Sequence, residues 1–374
     1  MSFKLEISDE RPWYTNNDVV SGNVVLELKS SVEITKIVVS LVGVCKVSLS
    51  RVDDVGQKFL DHVEENLTFL NYSTQVFPPP GQDSGSKYAL RAGTHSWPFE
   101  FEFPFEAPNT NAILPPSLSD IDPDKAYIRY YLKAEMDKSS MAAIKNPFLN
   151  DIFTAITFLP SDDQQVLDAV PTYGVFQAQT SRVQSNTKTV GGLFSRFLSS
   201  VAHDRSPTCN NIAAFEVSSE LLFTPGLEFT IAVNALDLLN DENICVYSLR
   251  IELVSRTYLR AKNLEETKDD IIVLFDRSNL KLRAGDLLSQ LDNPSIKVPE
   301  NVPPSFESPN IRRVYRLDIR LKWGHRPSSQ QVHKAQTGRI AWVRSGMFGS
   351  PSYETGEVIR TERSYPQAKW YYKF

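Results

Sequence analysis

The sequence predicts an all-β protein made of two consecutive antiparallel β-sandwiches, and three observations predict it. Apolar and polar residues alternate strictly in many short segments. Aromatic residues reach 11%, and 23 prolines punctuate the patterned segments. A set of small motifs occurs twice in the same order.

The alternation is clearest in Phe99-Glu-Phe-Glu-Phe103 and in Tyr315-Arg-Leu-Asp-Ile-Arg-Leu-Lys-Trp323. Leu227-Glu-Phe-Thr-Ile-Ala-Val233, Ile37-Val-Val-Ser-Leu-Val-Gly43 and Ser248-Leu-Arg-Ile-Glu-Leu-Val254 are of the same kind. Period two puts the large side chains on one face, as a strand in a two-layer sandwich requires. Aromatic richness suits strands better than helices, and prolines between patterned runs mark loops and strand ends. Helical spacing over two turns occurs in Leu193-Phe-Ser-Arg-Phe-Leu-Ser-Ser-Val201.

Leu114-Pro-Pro-Ser-Leu118 returns as Val302-Pro-Pro-Ser-Phe306, 188 residues later. Each copy is followed by a Tyr-x-Leu run, Tyr130-Tyr-Leu132 and Tyr315-Arg-Leu317. Earlier in each half a glycine, Gly22 or Gly226, precedes an alternating run and is expected at a turn into the strand. Ordered recurrence of this kind marks a duplicated unit. The expected layout is a first sandwich over 1–160, a connection over 161–188, a second sandwich over 189–345 and a short polar tail over 346–374. At 374 residues the chain accommodates two domains of ordinary size. The paired prolines cannot donate ladder hydrogen bonds, so they belong before a strand or on an edge.

Composition removes several function classes. With 41% hydrophobic and 23% charged residues the chain is of globular type. A net charge of −5 argues against general nucleic-acid binding, which needs a basic surface. Cys45, Cys209 and Cys245 are far apart and odd in number, which fits neither a disulfide framework nor a cysteine zinc site, and reads as reduced thiols in a cytosolic protein. The N-terminus lacks the apolar core of a signal peptide, and no run of about 20 apolar residues predicts a spanning helix.

Catalytic constellations are missing from the sequence. None of the five histidines pairs with another around a Glu at zinc-site spacing, and no nucleophile elbow occurs. Asp120-Ile-Asp-Pro-Asp124 reads as a solvated loop rather than a calcium loop. No enzyme activity, metal or cofactor is expected. Two features carry a binding reading. Pro171 with Tyr173, and Pro351 with Tyr353, form degenerate Pro-x-Tyr ligands for WW domains, which grip stiff proline-containing segments. Leu193, Phe194, Phe197 and Leu198 form an apolar stripe for contact with a membrane or with the second sandwich.

The ordered motifs resemble those of the fungal arrestin-related proteins, the α-arrestins. Gly22-Asn-Val-Val-Leu-Glu-Leu28, Ala92-Gly-Thr-His-Ser-Trp-Pro-Phe-Glu-Phe-Glu-Phe-Pro104, Leu114-Pro-Pro-Ser-Leu118 and Tyr127-Ile-Arg-Tyr-Tyr-Leu-Lys-Ala134 carry the resemblance in the first half. Thr224-Pro-Gly-Leu-Glu-Phe229, Val302-Pro-Pro-Ser-Phe306 and Val314-Tyr-Arg-Leu317 carry it in the second. The resemblance implies a cytoplasmic trafficking adaptor, peripheral at the plasma membrane or endosomes. It implies binding to cytosolic segments of membrane transporters or receptors, with a WW-containing HECT ubiquitin ligase recruited for ubiquitin-dependent endocytosis. The family recruits that ligase through Pro-Pro-x-Tyr, and both segments here lack the first proline. An alternative within the same resemblance is a structural subunit of an endosomal sorting coat, as in retromer.

Overall fold

The computed structural model describes residues 1–52, 59–79, 81–82, 86–108, 112–119, 125–138, 151–162, 168, 171–181, 212–235, 244–283, 296–325, 333–345, 347–348 and 359–360. The first half contains β1 (Ser2–Ile7), β2 (Val19–Leu28), β3 (Val32–Val52), β4 (Phe59–Phe77), β5 (Tyr88–Leu90), β6 (Gly93–Glu102), β7 (Ala126–Lys138) and β8 (Asp151–Ile156). The second contains β9 (Tyr173–Ser181), β10 (Ile212–Glu220), β11 (Leu222–Phe223), β12 (Ile231–Ala235), β13 (Ile244–Ala261), β14 (Leu264–Arg283), β15 (Phe306–Glu307), β16 (Ile311–His325) and β17 (His333–Val343). A short pair, β18 (Met347–Phe348) and β19 (Ile359–Arg360), follows. The fold is all-β, two consecutive antiparallel sandwiches.

In the first sandwich the layer β1-β2-β6 covers the layer β4-β3-β7-β8, with β5 beside β3. The alternation decides which face is covered. Phe99, Phe101 and Phe103 are buried while Glu100 and Glu102 are exposed. They share one core with Val24 and Leu26 of β2, Leu41 of β3 and Leu132 of β7. Each such side chain contributes about 1.5–3 kcal/mol when removed from water.

The second sandwich runs as one continuous sheet in the order β12-β10-β9-β17-β16-β13-β14. Residues 161–188 are therefore more than a connection, because Tyr173–Ser181 within them form β9. Phe176 and Ala178 alternate inward on β9 and bury in the second core. The strand pairs along β10 on one side and with Lys334, Ala335 and Gln336 of β17 on the other.

The repeated motif does the same mechanical work twice. Tyr130 on β7 donates its hydroxyl to the carbonyl of Pro115 at 2.5 Å, and Tyr315 on β16 donates to Pro303 at 2.7 Å. Ser117 Oγ accepts from the amide of Phe158, and Ser305 Oγ accepts from the amide of Val343. The amides of the two serines return the bond to the carbonyls of those same residues. Phe158 and Val343 are in turn bridged in parallel by Tyr14 and by Phe223. Each motif is thus a clasp that ties a buried tyrosine and the last strand to the proline corner.

The glycine pair does not belong to the repeat. Gly22 lies inside β2 opposite Ile7, where an added Cβ would sit 2.1 Å from the carbonyl oxygen of Glu6. It serves close strand approach rather than a turn. Gly226 follows Pro225 in a turn at φ +84°, a conformation that favours glycine.

The halves meet through the tip of the β13–β14 hairpin. Leu259, Ala261, Phe306 and Ile311 belong to the same core as Ile128 and Leu118 of the first sandwich. The amide of Lys262, at φ 52° in the hairpin turn, donates to Glu65 at 3.1 Å, and Lys125 pairs with Glu266.

Candidate functional site

The outer face of the layer β14-β13-β16-β17 carries a row of charged side chains on β13 and β16. Strand residues two apart share a face, so Arg316, Asp318, Arg320 and Lys322 all point outward from β16. Arg250, Glu252, Val254 and Arg256 do the same on β13. Glu252 and Asp318 lie directly opposite each other and are both buried. Glu252 is held by two guanidinium groups and Asp318 by one. Arg250 Nε donates to Glu252 Oε1 at 2.5 Å, and Arg320 approaches Glu252 Oε2 at 3.1 Å. Arg316 binds Asp318 through two bonds of 2.6 and 2.8 Å. Gly338 stands opposite Asp318 on β17, where a Cβ would fall 2.4 Å from its carboxylate. The hydrogen bonds to Glu252 and Asp318 raise the pKa of Arg250 and of Arg316 respectively.

Beyond these pairs the face turns cationic. Lys322 of β16 lies directly opposite Lys334 of β17, two residues from Arg320 on the same face. Like charges directly opposed on neighbouring strands destabilise a sheet, and neither lysine has an acidic partner among the described residues. Lys322 and Lys334 line an open cleft of about 420 Å³ together with Arg320, which Glu252 holds, and with Arg250, which donates to Glu252 and, at 2.8 Å, to Asp276 on the cleft's wall. Such a surface can hold an anionic group from solution.

A second cleft, of about 340 Å³, opens where the two clasps approach each other. Leu114, Pro115, Pro160, Pro304, Phe306 and Trp342 give it an apolar lining. The amide of Ser345 donates to Asp162 at 2.8 Å across its rim. Nearby, the thiol of Cys45 donates to Asn310 of the other half, and burial pushes it up to about 12. A thiol held neutral in this way is a packing group rather than a nucleophile.

Among the described residues no group of three or more His, Cys, Asp and Glu side chains could hold a metal ion. No helix among them is long and apolar enough to cross a membrane. Of the sequence-predicted binding residues, Pro171 and Tyr173 are placed. Both are exposed, and Tyr173 opens β9 opposite Glu220, with the Thr172 carbonyl accepting from Leu221. Pro351, Tyr353, Leu193, Phe194, Phe197 and Leu198 lie outside the described residues, as do Asp120 to Asp124. The structure brings together a set the sequence reading left apart, Arg250, Arg320, Lys322 and Lys334. The polar positions of the alternating run Tyr315–Trp323 were a signal for half of it, since three of the four are basic. The other half needed the strand order.

Residues 3–158 match the family described as Arrestin (or S-antigen), N-terminal domain. The chain is also similar to a protein named Arrestin-related trafficking adapter 10 from Lachancea thermotolerans, at 26% identity over 136 residues. That match covers 29% of this chain and spans 32% of the relative's length.

Proposed function

We propose that this arrestin-like chain is a non-enzymatic trafficking adaptor that binds cytosolic segments of membrane proteins, at the cytoplasmic side of the plasma membrane or endosomes. The observation that carries the reading is the basic cleft of Arg250, Arg320, Lys322 and Lys334, open to solvent, in which Lys322 and Lys334 oppose each other. Opposed lysines cost stability, and an acidic segment laid across them would relieve the repulsion. The likeness to the arrestin N-terminal domain and to a protein named as a trafficking adapter supports the same reading. Residues 1–160 and 189–345 serve as the two binding domains, with 161–188 joining them and lending β9 to the second.

The test is co-purification of membrane proteins with the full chain. The wild-type chain brings them down, and the Lys322→Glu, Lys334→Glu double variant loses them. Equal recovery by both removes the cleft from the reading, and no membrane protein with the wild type refutes the adaptor. A finer part of the proposal links the cargo to ubiquitin through Pro351 and Tyr353. Tyr353→Ala then abolishes binding to isolated WW domains of a HECT ligase, and unchanged binding refutes that part.

A further inference from the structure

The basic cleft is built from two rows of side chains that run across neighbouring strands. One row holds Lys322 and Lys334, and the next holds Asp276, Arg250 and Arg320. Behind them stands a third row, Glu252, Asp318 and Gly338, outside the cleft lining. Its two carboxylates lie directly opposite each other and are 0% and 7% exposed.

The two acids are held from opposite sides. Arg316, one row further from the cleft, binds Asp318 through two bonds of 2.6 and 2.8 Å. Among the described residues Glu252 takes its partners from the cleft side. Arg250 Nε donates to Oε1 at 2.5 Å, and Arg320 Nη2 lies 3.1 Å from Oε2.

A fully buried carboxylate on the outer face of a sheet is costly to place. Ion pairs to half-exposed arginines return little stability. What the placement does secure is geometry. Arg250 is held at two points, since its Nη1 also donates to Asp276 at 2.8 Å. Arg320 is 49% exposed, and Glu252 is its one ionic partner among the described residues. Its planar fork is therefore fixed along one edge, with the remaining N–H groups left for a ligand. The two lysines beside it have no acid of their own among the described residues.

We infer that Glu252 is a positioning residue for this cleft. It holds the guanidinium groups of Arg250 and Arg320 so that, with Lys322 and Lys334, they take the carboxylates of an acidic segment in a partner protein. The partner chemistry rests on the adaptor reading above, and the role of Glu252 goes beyond it. Carboxylates are what both guanidinium groups already hold on the protein's own side. The role has a sign that bulk charge does not share. Glu252→Gln makes the cleft more positive, which by electrostatics alone strengthens binding of an acidic peptide. Loss of the buttress weakens it.

The probe is a fluorescein-labelled Gly-Glu-Asp-Glu-Asp-Glu-Gly peptide, titrated by anisotropy onto the full chain. Glu252→Gln should weaken binding roughly 10-fold, and Arg320→Lys, which keeps the charge but loses the fork, at least ~3-fold. Asp318→Asn and Arg316→Lys change the neighbouring pair outside the cleft and should not weaken it. A Glu252→Gln chain too unstable to titrate leaves the decision to Arg320→Lys, whose site is half exposed. Stronger or unchanged binding in Glu252→Gln, or unchanged binding in Arg320→Lys, overturns the inference. Equal weakening in Asp318→Asn also overturns it, because any buried acid on this face would then serve. Loss of binding confined to the Lys322→Glu, Lys334→Glu double variant keeps the cleft as the adaptor's surface and removes Glu252 from it. No binding by the wild-type chain overturns the inference as well, and membrane proteins that still co-purify then leave the adaptor reading standing.

Discussion

The first sandwich keeps its layers apart, β1-β2-β6 over β4-β3-β7-β8, whereas the second is a single sheet because β9 pairs with both β10 and β17. The larger layers nevertheless match strand for strand, and both are fastened by a Tyr–Pro and Ser–backbone clasp. The two halves agree at the buried hydrogen bonds of the clasps. They differ where strands end, at the edges and at the seam. At the seam Ile128 in the first half is matched by Arg313 in the second, opposite Cys45 and Thr257 respectively. Arg313 is 2% exposed and donates to Thr257 Oγ1 at 3.0 Å. A position that is apolar in one copy has become a buried, hydrogen-bonded cation in the other.

The largest expected difference between the halves lies behind the clasps. Phe158 stacks on Phe103 at 4.9 Å and meets Tyr130 at 4.8 Å, while its counterpart Val343 is a smaller side chain buried in the second core beside Phe223. Phe158→Ala should cost about 3–5 kcal/mol, since a large buried ring leaves a cavity. Val343→Ala should cost distinctly less in the same urea titrations. Equal losses would mean that the larger ring at Phe158 is no more consequential than the valine in its place.

The clasp tyrosines should behave alike. Tyr130→Phe and Tyr315→Phe each strand a proline carbonyl and should each cost about 1–3 kcal/mol. A large inequality would break the equivalence of the two clasps, and equal values would sharpen it.

The seam contrast is open to a pH test. Burial raises the Cys45 thiol to about 12, whereas the unfolded thiol ionises near pH ~8.5. The folded chain therefore keeps a proton that the unfolded chain releases. The stability tied to that proton is fully present below pH ~8.5 and falls by about 1.4 kcal/mol per pH unit until about pH 12. Cys45→Ala should flatten this part of the alkaline limb when unfolding is followed at pH 8 and 9.5 under reducing conditions. An unchanged slope would mean that the thiol is already ionised in the folded chain.

The smallest effect belongs to the exposed rim of β14. Arg256 holds Asp269 through two bonds of 2.7 and 2.6 Å, and the bond lowers the carboxylate's pKa. A depressed acid adds stability above its unfolded pKa and loses it as pH falls through the folded one. Both side chains are solvated, so Asp269→Asn should barely move the urea midpoint at pH 7, and less at high salt than at low. A loss as large as that of a clasp tyrosine would show the rim to be structural.

Much of this was legible in the chain. Tyr315–Trp323 alternates, and it forms β16 with its large side chains inward. The Pro-Pro-Ser and Tyr-x-Leu pairs announced the duplication, and both proved to be parts of one fastening. The glycine pair misled, because a glycine that admits a neighbouring strand and one that turns the chain look identical in sequence. The stretch 161–188 looked polar enough to be a connection, yet Phe176 and Ala178 were sufficient to seat β9.

What the sequence by itself determined is which residues share a face and that the unit occurs twice, because side-chain alternation and short motifs are local properties of the backbone. Tertiary structure decided which faces and edges stay open. Lys322 meets Lys334, Glu252 stands beside Arg320, and Cys45 reaches Asn310, only because strands distant in the chain became neighbours in a particular register. Register is fixed by the packing of the whole layer, so these surfaces appear only after the sheets have formed.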